Sequence, residues 1–127
     1  MTAATLEHVN ITVTDSKQVA DLLCRLFDWR IRWQGPGIDN GYTVHVGTDS
    51  AYLAVYSMGA PVESGITTYA QKGGLNHVGV VVDDLESTEK RVVAAGFETH
   101  SHADYEPGRR FYFNGPDGIE FEVVSYA

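Results

Sequence analysis

The chain has 127 residues, of which 43% are hydrophobic and 20% charged, and its formal net charge is −8. This length and composition are typical of one compact domain with its own core. The acidic charge argues against a nucleic-acid partner, and no apolar stretch is long enough to cross a bilayer. Cys24 is the only cysteine, which excludes an intrachain disulfide and a thiolate zinc cluster. We therefore expect a cytoplasmic protein.

The first strand and helix are predicted near the N-terminus. Residues 6–14 alternate between apolar and polar, as strands do, with the apolar side chains on one face and His8 on the other. Asp15 is a predicted helix N-cap, because Gln18 follows it three residues later as in a capping box. The helical spacing of apolar residues predicts a helix over about 16–28. Because the apolar strand face should pack on this helix, His8 is expected to point away from it.

Three further strands are predicted to complete the first half. They cover about residues 29–34, 42–46 and 52–58. In the last of them, Leu53 and Val55 fit the side facing the helix, whereas Tyr52, Ala54 and Tyr56 fit the opposite side. The first half therefore follows the order βαβββ.

The second half repeats this order after a connection at 59–73 that shows no clear periodicity. A strand around His77 leads into a helix that begins near Asp84 and ends at Gly96. Three predicted strands and their connections complete this half: a strand at 97–102, a loop at 103–108, a strand at 110–114, a tight turn at 115–118 and a strand at 119–126.

An internal repeat relates the two halves. Aligning His8 with His77 brings the apolar positions of both first strands into register. We predict an α+β fold of two βαβββ modules related by a pseudo-twofold axis, within a single domain that covers 1–127. Module 1 covers about 5–58 and module 2 about 74–127.

Strand parity selects the candidate metal ligands. His8, His77, Glu120 and Glu122 all fall on strand faces opposite the helix side. Two imidazoles and a carboxylate on one face can hold a divalent metal ion while leaving positions open for water or substrate. The alternative is that the histidines and glutamates are ordinary surface residues. Three further histidines lack support from the repeat and are interpreted as surface residues: His45, His100 and His102.

Four segments resemble the vicinal oxygen chelate superfamily, also called the glyoxalase/bleomycin-resistance/dioxygenase family. They are residues 6–15, 76–85, 94–97 and 108–122. The most specific is the turn Pro116-Asp117-Gly118, because the family has a metal-binding glutamate four residues after the glycine. That position is Glu122, not Glu120. The resemblance implies two modules that form a cup-shaped mixed sheet around one site, and a homodimer.

The same resemblance implies that His8, His77 and Glu122 hold one divalent ion, which could be iron, manganese, zinc, nickel or cobalt. The fourth ligand of the family is usually a glutamate in glyoxalase I-like members, and here that position falls on Ala54. This departure argues against isomerisation of the glyoxalase I type. Three-ligand sites resemble those of extradiol dioxygenases and of fosfomycin-modifying thiol transferases.

The leading hypothesis is a metal-dependent enzyme that performs lyase, isomerase or dioxygenase chemistry on a small oxygen-bearing substrate. Tyr56 is the predicted proton donor, and Tyr52, Arg110 and Tyr112 are predicted to contact the substrate. For each of these residues, packing or a salt bridge is the ordinary alternative.

Two other functions stay open. The first is a metal-free protein of the bleomycin-resistance type that sequesters an aromatic or cationic ligand, which the acidic charge and aromatic strands would suit. The second is a fold without activity of its own that serves in protein contacts.

Overall fold

The computed structural model describes residues 2–63, 65–105 and 108–127. The chain divides into two compact units, Met1–Val62 and Glu63–Ala127. Each unit contains one strand, one α-helix and three further strands in that order, which confirms the prediction of two βαβββ modules. In the described part of the chain, no helix is long and apolar enough to span a membrane.

Unit 1 is a four-stranded mixed sheet with one helix. Its elements are β1 (His8–Thr12), α1 (Ser16–Phe27), β2 (Arg30–Pro36), β3 (Tyr42–Gly47) and β4 (Tyr52–Ser57). The strand order is β1-β4-β3-β2, in which β1 runs parallel to β4 and the other pairs are antiparallel. Helix α1 covers one face of this sheet.

Helix α1 begins where the sequence predicts it. The Asp15 carboxylate accepts a hydrogen bond from the Gln18 backbone N–H at 3.1 Å and caps the first turn. Leu23 on the inner face of α1 is fully buried, as are Val44 on β3 and Val55 on β4. These apolar side chains form the core of unit 1 and leave the opposite sheet face to polar and aromatic residues.

Unit 2 repeats the arrangement. Its elements are β5 (Val78–Val81), α2 (Leu85–Ala94), β6 (Thr99–Tyr105), β7 (Gly108–Asn114) and β8 (Glu120–Ser125), in the sheet order β5-β8-β7-β6. The loop predicted at 103–108 is shorter than expected, because β6 continues to Tyr105 and β7 begins at Gly108. The remainder of that loop, Glu106 and Pro107, lies outside the described residues.

The predicted connection at 59–73 crosses the boundary between the two units. Ser64 within it lies outside the described residues, and residues Thr68–Ala70 form a short 3₁₀ turn that belongs to unit 2. This turn matters for the site because it carries the side chain of Tyr69.

Sheet register gives the repeat a structural basis. Asn10 pairs with Ala54 across β1 and β4, and Gly79 pairs with Glu122 across β5 and β8. Asn10 and Gly79 each follow the histidine of their repeat by two residues. Ala54 is therefore the counterpart of Glu122 in unit 1, as the sequence alignment predicts.

Candidate functional site

In unit 2, His77 and Glu122 face each other on the sheet side opposite α2. His77 directly precedes β5 and Glu122 lies on the neighbouring strand β8. The Nε2 atom of His77 lies 3.4 Å from Oε1 of Glu122. The structure therefore brings two of the three predicted ligands together.

The opposite nitrogen of His77 is held by a tyrosine. Its Nδ1 atom lies 3.2 Å from the hydroxyl of Tyr69, which donates its own proton to Glu120. With that proton committed, the Tyr69 oxygen accepts a hydrogen bond from Nδ1–H. A neutral His77 ring then keeps its lone pair on Nε2, the atom that faces Glu122. The hydrogen bond to Glu120 is the largest cause that raises the pKa of Tyr69 to about 12.

The second oxygen of Glu122 is occupied by two donors. The Arg110 guanidinium lies 2.9 Å from Oε2, and the Tyr112 hydroxyl donates to the same atom at 2.8 Å. Partial burial favours the neutral form of Glu122, but the hydrogen bonds from Tyr112 and Arg110 outweigh it and lower its pKa. The carboxylate therefore stays ionised, with Oε1 directed at His77.

The distance between the two donor atoms fits a metal ion. Two ligand atoms that each lie about 2.1 Å from one ion at a tetrahedral angle are about 3.4 Å apart. His77 Nε2 and Glu122 Oε1 are separated by 3.4 Å. Among the described residues, however, no group of three or more His, Cys, Asp or Glu side chains is arranged to hold a metal ion. The pair therefore supplies two adjacent donors rather than a complete site.

In unit 1, His8 shows the same orientation of its ring nitrogens. Its Nδ1 lies 2.8 Å from Oε1 of Glu7, which also accepts a hydrogen bond from the Tyr52 hydroxyl at 3.2 Å. An ionised carboxylate only accepts, so Nδ1 is the protonated nitrogen and Nε2 is the atom available to a ligand. The hydrogen bonds from His8 and Tyr52 lower the pKa of Glu7 and keep it ionised. Histidine ligands of metals commonly hold their second nitrogen in this way.

The fourth ligand position and the remaining predicted site residues lie as follows in the two units. At the position equivalent to Glu122, Ala54 is buried and offers no donor atom. The Tyr56 hydroxyl donates to the carbonyl of Ile38 at 2.8 Å. Arg110, predicted to contact the substrate, pairs with Glu122 in this structure.

Two residues near the proposed ligands were not predicted. Tyr69 lies in the connection whose fold the sequence does not reveal, and no pattern marks it. His45, for which the sequence predicts a place on the surface, has a ring that stacks on Tyr52 with centroids 4.6 Å apart. Strand parity could have predicted this position, because His45 pairs with Ala54 and both lie on the sheet face opposite α1. Two other histidines have local partners: His100 contacts Asn114 and His102 contacts Glu89.

The sequence matches the Glyoxalase/Bleomycin resistance protein/Dioxygenase superfamily over residues 5–123. The chain therefore belongs to this family, as the sequence motifs predict. Among curated proteins, none matches the sequence significantly.

Solved structures share the fold at low sequence identity. A glyoxylase/bleomycin resistance protein/dioxygenase domain from Frankia sp. EAN1pec is 20% identical, covers 98% of both chains and has a TM-score of 0.81. The antibiotic-binding protein TnmS3 from Streptomyces sp. CB03234 is 14% identical, with a TM-score of 0.75 over 100% of this chain and 99% of that one. A mutant of the fosfomycin resistance protein FosX from Listeria monocytogenes, complexed with Mn(II) and a dihydroxypropylphosphonic acid, is 16% identical, with a TM-score of 0.72 over 97% and 93% of the two chains.

Proposed function

We propose that this protein is a metal-dependent enzyme of the superfamily, with His8, His77 and Glu122 as ligands of one divalent ion. The observation that carries the proposal is the Nε2–Oε1 separation of 3.4 Å between His77 and Glu122. A nitrogen lone pair and a carboxylate oxygen repel each other unless a positive charge lies between them. Either the proton of an imidazolium or a metal ion meets this requirement, and the separation suits the metal.

The bound ion would act as a Lewis acid toward substrate oxygens. The surrounding residues have distinct tasks in the proposed site. Arg110 and Tyr112 keep Glu122 ionised and oriented by their contacts with Oε2. Burial is the main reason why the pKa of Tyr112 is raised. Tyr112 therefore keeps its proton and can donate a hydrogen bond next to Glu122. Tyr56 stays the predicted proton donor, and Tyr52 a predicted substrate contact.

The reaction class follows from the unfilled fourth position. A second carboxylate next to His8 could serve as a ligand and a base, but Ala54 occupies that place. Among the lyase, isomerase and dioxygenase reactions that we propose, isomerisation of the glyoxalase I type is therefore the least favoured. Three protein ligands would leave the other positions of the ion to a small oxygen-bearing substrate. We further expect a cytoplasmic homodimer in which the whole chain acts as one functional domain.

Elemental analysis of the purified protein, before and after chelator treatment, tests this proposal. His77→Ala should lose the metal, whereas His100→Ala should retain it, because His100 contacts Asn114 and Ser101 rather than Glu122. The native protein should contain near-stoichiometric metal. Full metal occupancy in His77→Ala would refute the ligand assignment.

A metal-free binding protein is the second candidate. The observation in its favour is the contact between Arg110 and Glu122, because a guanidinium already neutralises the carboxylate that a metal would need. The fold similarity to an antibiotic-binding protein is consistent with this alternative. It would be supported by a native preparation without metal whose thermal stability does not rise when divalent ions are added.

A further inference from the structure

Four aromatic rings form a continuous row across the sheet face of unit 1 that lies opposite α1. Each strand contributes one ring: Trp33 from β2, His45 from β3, Tyr52 from β4 and His8 from β1. The ring centroids of successive pairs are 5.0, 4.6 and 4.9 Å apart. The row thus connects an edge tryptophan to one of the proposed metal ligands.

Trp33 exposes a large flat surface at the free end of the row. Its side chain is 51% exposed. The indole lies over Gly35, where an added Cβ atom would approach Trp33 Cζ2 to 2.8 Å. The absence of a side chain at Gly35 therefore leaves room for the indole, whose plane is tilted 53° from that of His45. Exposed rings held in this way are suited to stacking with a planar molecule.

A β-bulge adds a positive charge to the same surface. The register of β2 and β3 shifts between Ile31 and Trp33, which re-aims the intervening residue. The Arg32 guanidinium consequently lies 4.4 Å over the Tyr52 ring, in a cation–π contact. The same guanidinium donates to the Thr48 carbonyl at 3.0 Å. The Glu7 carboxylate accepts hydrogen bonds from His8 and Tyr52.

The middle of the row is the imidazole of His45, whose plane lies 25° from that of the Tyr52 ring. Arg32 contributes a permanent positive charge to this surface, because its guanidinium lies over the Tyr52 ring. Arg32 is therefore well placed to select among aromatic ligands by their charge.

We propose that this row binds a planar aromatic molecule that carries an anionic oxygen group, with its ring stacked on Trp33 and with Arg32 as its charge partner. Since the row ends at His8, this inference rests on the proposed function and names the substrate class of the same site. Stacking on the row does not require the metal ion, so ligand binding can be tested on metal-free protein.

The first experiment is an NMR titration of chelator-treated, ¹⁵N-labelled protein with 2-naphthoate as the probe. The chain has 2 tryptophans, so two indole N–H signals are expected. The signal of Trp33 should shift, whereas that of Trp29, which packs on Phe27, should not. Trp33→Ala should weaken binding about fivefold, as expected for loss of one aromatic stacking contact. Tyr126→Ala, which removes a ring of similar exposure in unit 2, is the matched control.

Variants of Arg32 and Gly35 test the charge and the ring position separately. Arg32→Gln should weaken binding of 2-naphthoate but not of uncharged 2-naphthylmethanol. Arg30→Gln makes the same charge change at a residue paired with Asp49 and should have no effect. Gly35→Ala should weaken binding of both probes, because the added methyl group displaces the indole.

Two results would overturn the inference: cyclohexanecarboxylate binding as tightly as 2-naphthoate, or Trp33→Ala binding 2-naphthoate as the native protein does. Both are measured on metal-free protein, so they are independent of the metal analysis. A protein that binds no metal but stacks 2-naphthoate on Trp33 would refute the proposed enzyme and leave the ligand class supported.

Discussion

His77 and Glu122 face each other with Nε2 and Oε1 3.4 Å apart, while the far ends of both side chains are held by hydrogen-bond partners. Tyr69 binds the other ring nitrogen, and Arg110 binds the other carboxylate oxygen. The two donor atoms are therefore oriented toward each other by contacts within the protein. Such support reduces the reorganisation needed for binding.

The first prediction concerns the charge on Glu122. Arg110→Gln removes the positive charge beside this carboxylate but keeps an N–H donor that can still orient Oε2, so Mn²⁺ should bind more tightly to the variant, by a few-fold. The thermal midpoint should fall, because the largely buried carboxylate loses a charge-assisted hydrogen bond. Isothermal titration calorimetry and thermal unfolding measure the two effects.

Arg109→Gln is the control for this prediction. Arg109 pairs with the exposed Glu86 on α2. The substitution changes the net charge of the protein by the same amount as Arg110→Gln. Its removal should leave Mn²⁺ affinity nearly unchanged. Equal effects of both substitutions would mean that overall charge, rather than the contact with Glu122, controls metal affinity.

The second prediction separates two roles of Tyr56. Its hydroxyl donates to the Ile38 carbonyl, which lies in the turn between β2 and β3. If this is its main role, Tyr56→Phe should lower the free energy of unfolding by about 1 kcal/mol. Unfolding in urea measures this. Unchanged stability together with lost turnover on an identified substrate would instead support Tyr56 as the proton donor.

The third prediction concerns the start of α2. Asp84 caps this helix by accepting a hydrogen bond from the Ser87 backbone N–H at 3.0 Å. Asp84→Ala should cost about 1 kcal/mol of stability, and Asp84→Ser much less, because serine retains a capping oxygen. Asp83→Ala removes the neighbouring carboxylate without removing the cap. Comparable losses from the substitutions at 83 and 84 would argue against the capping role.

The fourth prediction concerns acid stability. Burial favours the neutral form of Glu89, but hydrogen bonds from Thr99 and His102 outweigh it and lower its pKa. A carboxyl group with a lowered pKa in the folded state contributes stability above its unfolded pKa of about 4.3 and loses that contribution as the pH falls through its folded value. Glu89→Gln should therefore be less stable than the native protein at pH 6.

Below about pH 4, the difference between the native protein and Glu89→Gln should shrink toward zero. Urea unfolding at a series of pH values measures it. Glu98→Gln changes an exposed carboxylate close to β6 and should show little difference at either pH. A stability gap for Glu89→Gln that is independent of pH would contradict the assigned cause.

Local patterns predict much of the fold because they depend on neighbours in sequence. Alternation predicts β1, and the carboxylates of Asp15 and Asp84 predict both helix starts. Element ends were less accurate: β6 extends beyond its predicted end at 102 to Tyr105, since pairing with β7 stabilises its last residues. Tyr69 could not be predicted, because the contacts that hold it come from His77 and Glu120 rather than from its own segment.

Periodicity, repeat and motif are linear properties of the chain, so they are enough to predict the two βαβββ modules, the family and the candidates His8, His77 and Glu122. The folded structure is needed to see which atoms of His77 and Glu122 face each other and that Arg110 binds Glu122. It is also needed to see that Trp33 and His45 join Tyr52 and His8 in one row. These relationships depend on strand register and on rotamers, which bring together residues that are distant in the chain.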